Sequence, residues 1–220
     1  MVKRILCYGD SNTWGYIPGS LNLETGYVAR FNEKERWPML LEQLLGLDYR
    51  IIEEGLNSRT TNLDREDLPA KNGLTYLLPC LESHAPLDLV IIMLGTNDLN
   101  VLCNRTSQAV ASGIESLVHC IKKMPCAPDM ISPADVLLVV PPRPAHEEGF
   151  SPQFKGAIEK SKALPELYEA ISMREGCYCL NAEPEPLTSE IDGIHLHKQG
   201  HERLARLVFE KVKNIFEEKI

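Results

Sequence analysis

Apolar residues fall along this chain in two alternating patterns. Short, nearly continuous apolar runs occupy Lys3–Tyr8, Tyr49–Ile52, Leu87–Leu94, Val136–Val140 and Cys177–Leu180. Unbroken apolar character over so few residues suits parallel strands that are covered on both faces. The stretches between them repeat with the helical period. Pro38 suits the first turn of a helix carried by Leu40, Leu41, Leu44 and Leu45, and Gly46 stops it. Thr106 or Ser107 is placed to cap a helix whose stripe is Val110, Ile114, Leu117, Val118 and Ile121. Leu204, Leu207, Val208, Val212 and Ile215 mark the last helix most clearly, with most of its Glu and Lys residues elsewhere. Strand–helix alternation of this kind predicts a three-layer α/β/α sandwich around a doubly wound, five-stranded parallel sheet.

Length and composition keep that picture simple. The 220 residues, 44% hydrophobic and 25% charged, suffice for a continuous core, and a single domain over 1–220 is expected. No repeat or low-complexity linker divides the chain. The proline-rich stretches Pro141–Pro144 and Pro184–Pro186 each follow a predicted strand. They read as stiff loops at the carboxyl edge of the sheet, where open α/β sheets place their binding crevice.

Charge and cysteine usage narrow the partners. With 23 Lys plus Arg against 31 Asp plus Glu, the formal charge is −8, which disfavours nucleic acid or an anionic membrane as partner. No run reaches the ~20 apolar residues of a membrane span. The apolar stretch Ile5-Leu6-Cys7 is too short for the core of a signal peptide, so none is expected. Seven scattered cysteines, odd in number, read as reduced thiols of a cytoplasmic protein. Cys177 and Cys179, one residue apart, lack the usual metal spacing and are expected to pack in the core.

Four segments carry residue types that do chemistry. Gly9-Asp10-Ser11-Asn12-Thr13 follows the first strand, where a serine either projects its hydroxyl into the crevice or caps the next helix. Glu54–Thr61 follows the second strand and Gly95-Thr96-Asn97-Asp98 the third. An asparagine at such an edge either aims its amide at a developing oxyanion or serves as a turn residue. Asp192-Gly193-Ile194-His195 precedes the last helix, and a carboxylate three residues ahead of a histidine can fix its tautomer and leave the other ring nitrogen as base. The remaining histidines, at 84, 119, 146, 197 and 201, are expected on the surface or in packing. A Gly-x-Ser-x-Gly elbow, a Gly-x-Gly-x-x-Gly fingerprint, a Walker A pattern and an HExxH zinc motif are all missing.

In this order the four segments resemble the SGNH hydrolase, or GDSL esterase, superfamily, from Gly9 to His195. Arg4–Ser11, Thr13–Gly15, Ile52–Leu56 and Ile91–Asp98 are similar to its bacterial arylesterase and acyltransferase branch. The resemblance implies a flavodoxin-like sheet, with Ser11 as nucleophile, His195 as general base and Asp192 as the orienting carboxylate. It assigns the oxyanion hole to the backbone N–H groups of Ser11 and Ser58 and the side-chain amide of Asn97. Ser58 stands where the wider family has glycine; its N–H survives, but its side chain must point away from the acyl group. Asp10, Trp14 and Phe150, with the Pro141–Phe150 loop, are candidates to line the substrate pocket. The implied activity is hydrolysis of small aryl or short-chain esters through an acyl-enzyme, extended to acyl transfer onto alcohols. No cofactor and no metal are expected, the partner is a small-molecule ester, and self-association into a homo-oligomer would narrow the cleft. Two alternatives stay open: a carbohydrate acetylesterase with the same four segments, and a non-catalytic binding module on this fold.

Overall fold

Each of the five apolar runs forms a strand of one sheet in the computed structural model, which describes residues 2–146, 152–182 and 187–218. The strands are β1 (Lys3–Gly9), β2 (Tyr49–Gly55), β3 (Leu89–Met93), β4 (Asp135–Val139) and β5 (Tyr178–Leu180). They pair in parallel in the order β2-β1-β3-β4-β5. The helices are α1 (Ser11–Trp14), α2 (Trp37–Leu45), α3 (Gly73–His84), α4 (Ser107–Lys123), α5 (Ala157–Ser161), α6 (Leu164–Glu175) and α7 (Lys198–Glu217).

Alternation along each strand divides the core in two. Leu6, Tyr8, Val90, Ile92 and Leu138 face a layer that includes Leu77 of α3, Leu117 of α4 and Tyr168 of α6. Their neighbours Ile5, Cys7, Ile91 and Leu137 face Leu41 of α2 and Leu204, Val208 and Val212 of α7. With both faces covered, a fully buried aliphatic side chain contributes ~1.5–3 kcal/mol, and the continuous apolar character of the runs follows. Cys177 and Cys179 both pack against the first of these clusters.

Local signals set the ends of the helices. The Thr106 hydroxyl accepts from the Ala109 N–H at 3.2 Å and starts α4. Pro38 sits in the first turn of α2, and Gly46, at φ +81°, ends it. Helices α3, α5 and α6 have no counterpart among the predicted elements. Pro79 inside α3 reads as a helix breaker, yet Asn72 caps that helix by accepting from the N–H groups of Leu74 and Thr75.

The strand order reverses direction at β1, so the crevice opens between the carboxyl ends of β1 and β3. Gly9 and Gly55 stand opposite each other there. A Cβ on Gly55 would meet the Trp14 backbone nitrogen at 2.2 Å, and one on Gly9 the Thr13 hydroxyl at 2.0 Å. Only glycine at both positions lets α1 lie directly across the strand ends. Among the described residues no helix is long and apolar enough to cross a membrane.

Candidate active site

Ser11 opens α1, whose preceding Asp10 caps the turn by accepting from the Asn12 N–H at 2.9 Å. The Ser11 hydroxyl lies 2.9 Å from His195 Nε2, and His195 Nδ1 lies 2.9 Å from Asp192 Oδ2. The other Asp192 oxygen accepts from the backbone N–H groups of Ile194 and His195 at 3.1 and 3.0 Å. All three residues are buried, at 5% exposure for Ser11, 4% for His195 and 2% for Asp192. Burial raises the Asp192 carboxyl, but its bonds to His195 and to the two N–H groups outweigh it and hold the carboxyl below its usual range. Aspartate is thereby kept ionised against the ring, which fixes the tautomer with Nδ1 as donor and leaves Nε2 toward the serine.

Two residues with no sequence signal of their own lock this chain of bonds. Asn12 accepts from the Leu196 N–H at 2.9 Å and donates to the Ile194 carbonyl at 3.3 Å, tying the Ser11 turn to the His195 loop from both sides of His195. Tyr16 lies flat on the imidazole, with ring centroids 3.8 Å apart and an interplanar angle of 11°. Asn12 follows Ser11 within the first of the four segments, whereas nothing in the sequence marked Tyr16.

Across the cleft, Ser58 has φ +66°, in the left-handed region that favours glycine. Asn97 Nδ2 donates to the Arg59 carbonyl at 3.1 Å and lies 3.5 Å from Asp10 Oδ2. Asp98 beside it binds the Thr61 N–H at 2.9 Å, the Thr61 hydroxyl at 2.6 Å and Arg105 at 2.6 Å, pinning the loop after β3 to the loop after β2. Ser11, Ser58, Asn97 and His195 line one cavity of about 310 Å³, with Tyr16, Asn57, Arg65, Asn100, Gln153 and Phe154 among its other walls.

The pocket candidates fare differently. Asp10 does not line the cavity: it is 1% exposed, turned inward to cap α1 and to face Asn97. Burial pushes its carboxyl up to about 6 against the Asn12 N–H and the nearby His195 and Arg59. Trp14 does not line it either, because its backbone is pressed against Gly55 and its ring lies under the Arg30 guanidinium, 5.2 Å from the ring centroid. Phe150 lies outside the described residues. Of the Pro141–Phe150 loop, residues 141–146 turn away from the cavity and pack on the Asp192 loop, where the Ala145 N–H donates to the Gly193 carbonyl at 2.8 Å. Among the described residues the wall includes Arg65, Leu68, Gln153 and Phe154, in connecting segments whose composition did not indicate it.

A parallel sandwich with a Ser–His–Asp bond chain at its switch point, its serine in the first βα turn, defines a class of hydrolases. The chain belongs to the GDSL-like lipase/acylhydrolase family, whose model matches residues 7–203. It is similar to the aryl esterase of M. smegmatis, with 37% identity over 96% of this chain and 99% of that one and a TM-score of 0.88. It is equally similar to Est24, a carbohydrate acetylesterase from Sinorhizobium meliloti, with 39% identity over 97% and 99% of the two chains and a TM-score of 0.88. A member of the lipolytic G-D-S-L family from Veillonella parvula, 13% identical over 94% of this chain and 97% of that one, shares the fold alone, at a TM-score of 0.69. Comparison with curated protein sequences finds no match.

Proposed function

We propose that this hydrolase cleaves small carboxylic esters through an acyl-enzyme on Ser11. The observation that carries the reading is the continuous bond chain from Ser11 Oγ through His195 to Asp192, 2.9 Å at each link. Ser11 Oγ attacks the ester carbonyl while His195 Nε2 takes its proton. The resulting oxyanion is met by the N–H groups of Ser11 and Ser58 and the Asn97 amide. As the tetrahedral intermediate collapses, His195 returns the proton to the departing alcohol and the acyl group stays on Ser11. Water then attacks, gives its proton to His195, and the carboxylic acid leaves with the Ser11 hydroxyl restored. A bound alcohol in place of water yields a new ester instead, and binding it close to the acyl group is what lets it compete with bulk water.

A second reading, removal of acetyl groups from sugars, is favoured by the polar lining. Asn57 Oδ1 is buried at the cavity with no partner among the described residues, and Arg65, Asn100 and Gln153 stand nearby on the same wall. A sugar hydroxyl can donate to such an acceptor, whereas an aryl leaving group cannot. A panel of aryl and acetylated-sugar esters with acyl chains of rising length separates the two readings. Small acyl groups should be turned over fastest in a cavity of about 310 Å³. Higher kcat/KM on acetylated sugars than on aryl acetates selects the second reading, and no turnover of any ester by folded protein defeats both.

A further inference from the structure

Away from the catalytic cavity, β2 and α3 bring three ligating side chains together. Tyr76, Cys80 and His84 recur every fourth residue along α3 and so share one helix face. That face meets Glu54 near the end of β2. A Glu54 carboxylate oxygen, Cys80 Sγ and a His84 ring nitrogen all lie within 4.8 Å of one another. His84 Nε2 is 2.9 Å from Glu54 Oε1, and the Tyr76 hydroxyl donates to the same oxygen at 3.5 Å. Cys80 is buried at the base of the group, while the His84 and Glu54 side chains are 30% and 18% exposed and give access from solvent. A cavity of about 380 Å³, with Glu54, Tyr76 and Pro79 in its wall, adjoins them.

We propose that Glu54, Cys80 and His84 bind a divalent cation of zinc type, outside the ester chemistry and independent of it. A sulfur, a nitrogen and an oxygen donor form the mixed set that zinc accepts, and three protein ligands leave a fourth position for water. Bonds of about 2.0–2.3 Å place the ligand atoms of a tetrahedral ion about 3.3–3.8 Å apart, so side-chain rotation closes the site without moving the backbone. Tyr76 orients the carboxylate from behind, as an outer partner of a metal ligand does. On binding, the Cys80 S–H bond breaks, a sulfur–metal bond forms, and one proton leaves to solvent with no change in oxidation state. Thiolate and carboxylate then neutralise the two charges of the ion. Burial first, then the Glu54 carboxylate, push the Cys80 thiol up to about 12 against the pull of the nearby Arg59 guanidinium, so the ion itself must displace the proton. A second cluster, Glu115, His119 and Glu175, lacks sulfur, and Arg174 already bridges both carboxylates at 2.5 and 3.9 Å. The ion would clip α3 to the edge strand whose following loop carries Ser58.

Titration of the tag-free, full-length protein with cobalt(II), followed by zinc(II), tests the proposal. One equivalent of cobalt should bind with a near-ultraviolet thiolate-to-metal charge-transfer band, and zinc should displace it. Cys80→Ser should abolish the band and weaken zinc binding by at least about 10²-fold, beyond what loss of an outer partner costs. His84→Gln should weaken zinc similarly and covers the case in which Cys80→Ser fails to fold, while His119→Gln should change nothing. A missing charge-transfer band, or zinc uptake unaltered in folded Cys80→Ser or His84→Gln protein, overturns it.

Discussion

On the His195 side of the cleft, the bonds run between residues three or fewer positions apart or through one clamp. Asp192 reaches the ring, the His195 N–H and the Ile194 N–H within a single turn, and Asn12 grips the segment on both sides of the ring. On the Ser58 and Asn97 side, the loop after β3 is tied to the loop after β2: Asn97 to Arg59 crosses 38 positions and Asp98 to Thr61 crosses 37. Its donors are held by the way β2 and β3 deliver their loops, with Ser58 in a backbone conformation that costs free energy for a non-glycine residue. The contacts that orient the His195 ring from Asp192 are therefore local, whereas the approach of His195 to Ser11 and the placing of Ser58 and Asn97 both depend on the fold.

The largest expected effect breaks the base side. Asp192→Asn should lower kcat by about 10⁴-fold with the fold retained, because an amide can present its N–H to Nδ1 and reverse the tautomer. Steady-state rates alongside a thermal melt check this, and a loss under tenfold would mean the carboxylate does not orient the base. Next, Asn97→Ala should cost about 10²–10³-fold in kcat with little change in KM, since its bond strengthens chiefly in the transition state. A raised KM at constant kcat would make Asn97 a substrate-binding residue.

His201 sharpens the contrast from within the base side. It is as buried as His195 but has no carboxylate; its Nδ1 accepts from the Trp37 N–H at 3.2 Å. Burial first, then the neighbouring His197, His195 and Arg36, push it down from 6.5 to about 3. A folded value below the unfolded one means that the unfolded chain takes up the proton first. The stability from a neutral His201 is thus present above pH 6.5 and lost as pH falls toward 3. Between pH 6.5 and 4.5 this amounts to about 2–3 kcal/mol. In urea melts, His201→Gln should flatten that acid limb relative to wild type, and parallel limbs would contradict it. The smallest effect belongs to the other side: Ser58→Gly should raise stability by up to about 1 kcal/mol and leave kcat within a few-fold, because the N–H donor stays.

The same contrast explains what the sequence made legible. The apolar runs appear as strands within a few residues of their bounds, because burial on both faces leaves no other pattern for a parallel sheet. That Ser11, Asp192 and His195 come together was legible from the order of the four segments and their resemblance to a family, not from any one short motif. Asp10 and Trp14 were misplaced because adjacency to a nucleophile does not say which way a side chain turns. The capping geometry sends Asp10 inward, and the close approach of Gly55 sends Trp14 beneath Arg30. Arg65, Gln153 and Phe154 reach the cavity through connecting segments that no local periodicity encodes, and α3, with Pro79 inside it, is sustained by its Asn72 cap and tertiary packing.

Reaction with a fluorophosphonate, mapped by mass spectrometry of proteolytic peptides, tests the central claim most directly. Only a serine activated by its histidine and facing an oxyanion hole attacks such a phosphorus centre readily. One adduct per chain is expected, on the peptide containing Ser11, with Ser11→Ala unlabelled and His195→Gln labelled far more slowly. No adduct on folded protein, or one that persists in Ser11→Ala, would contradict the account.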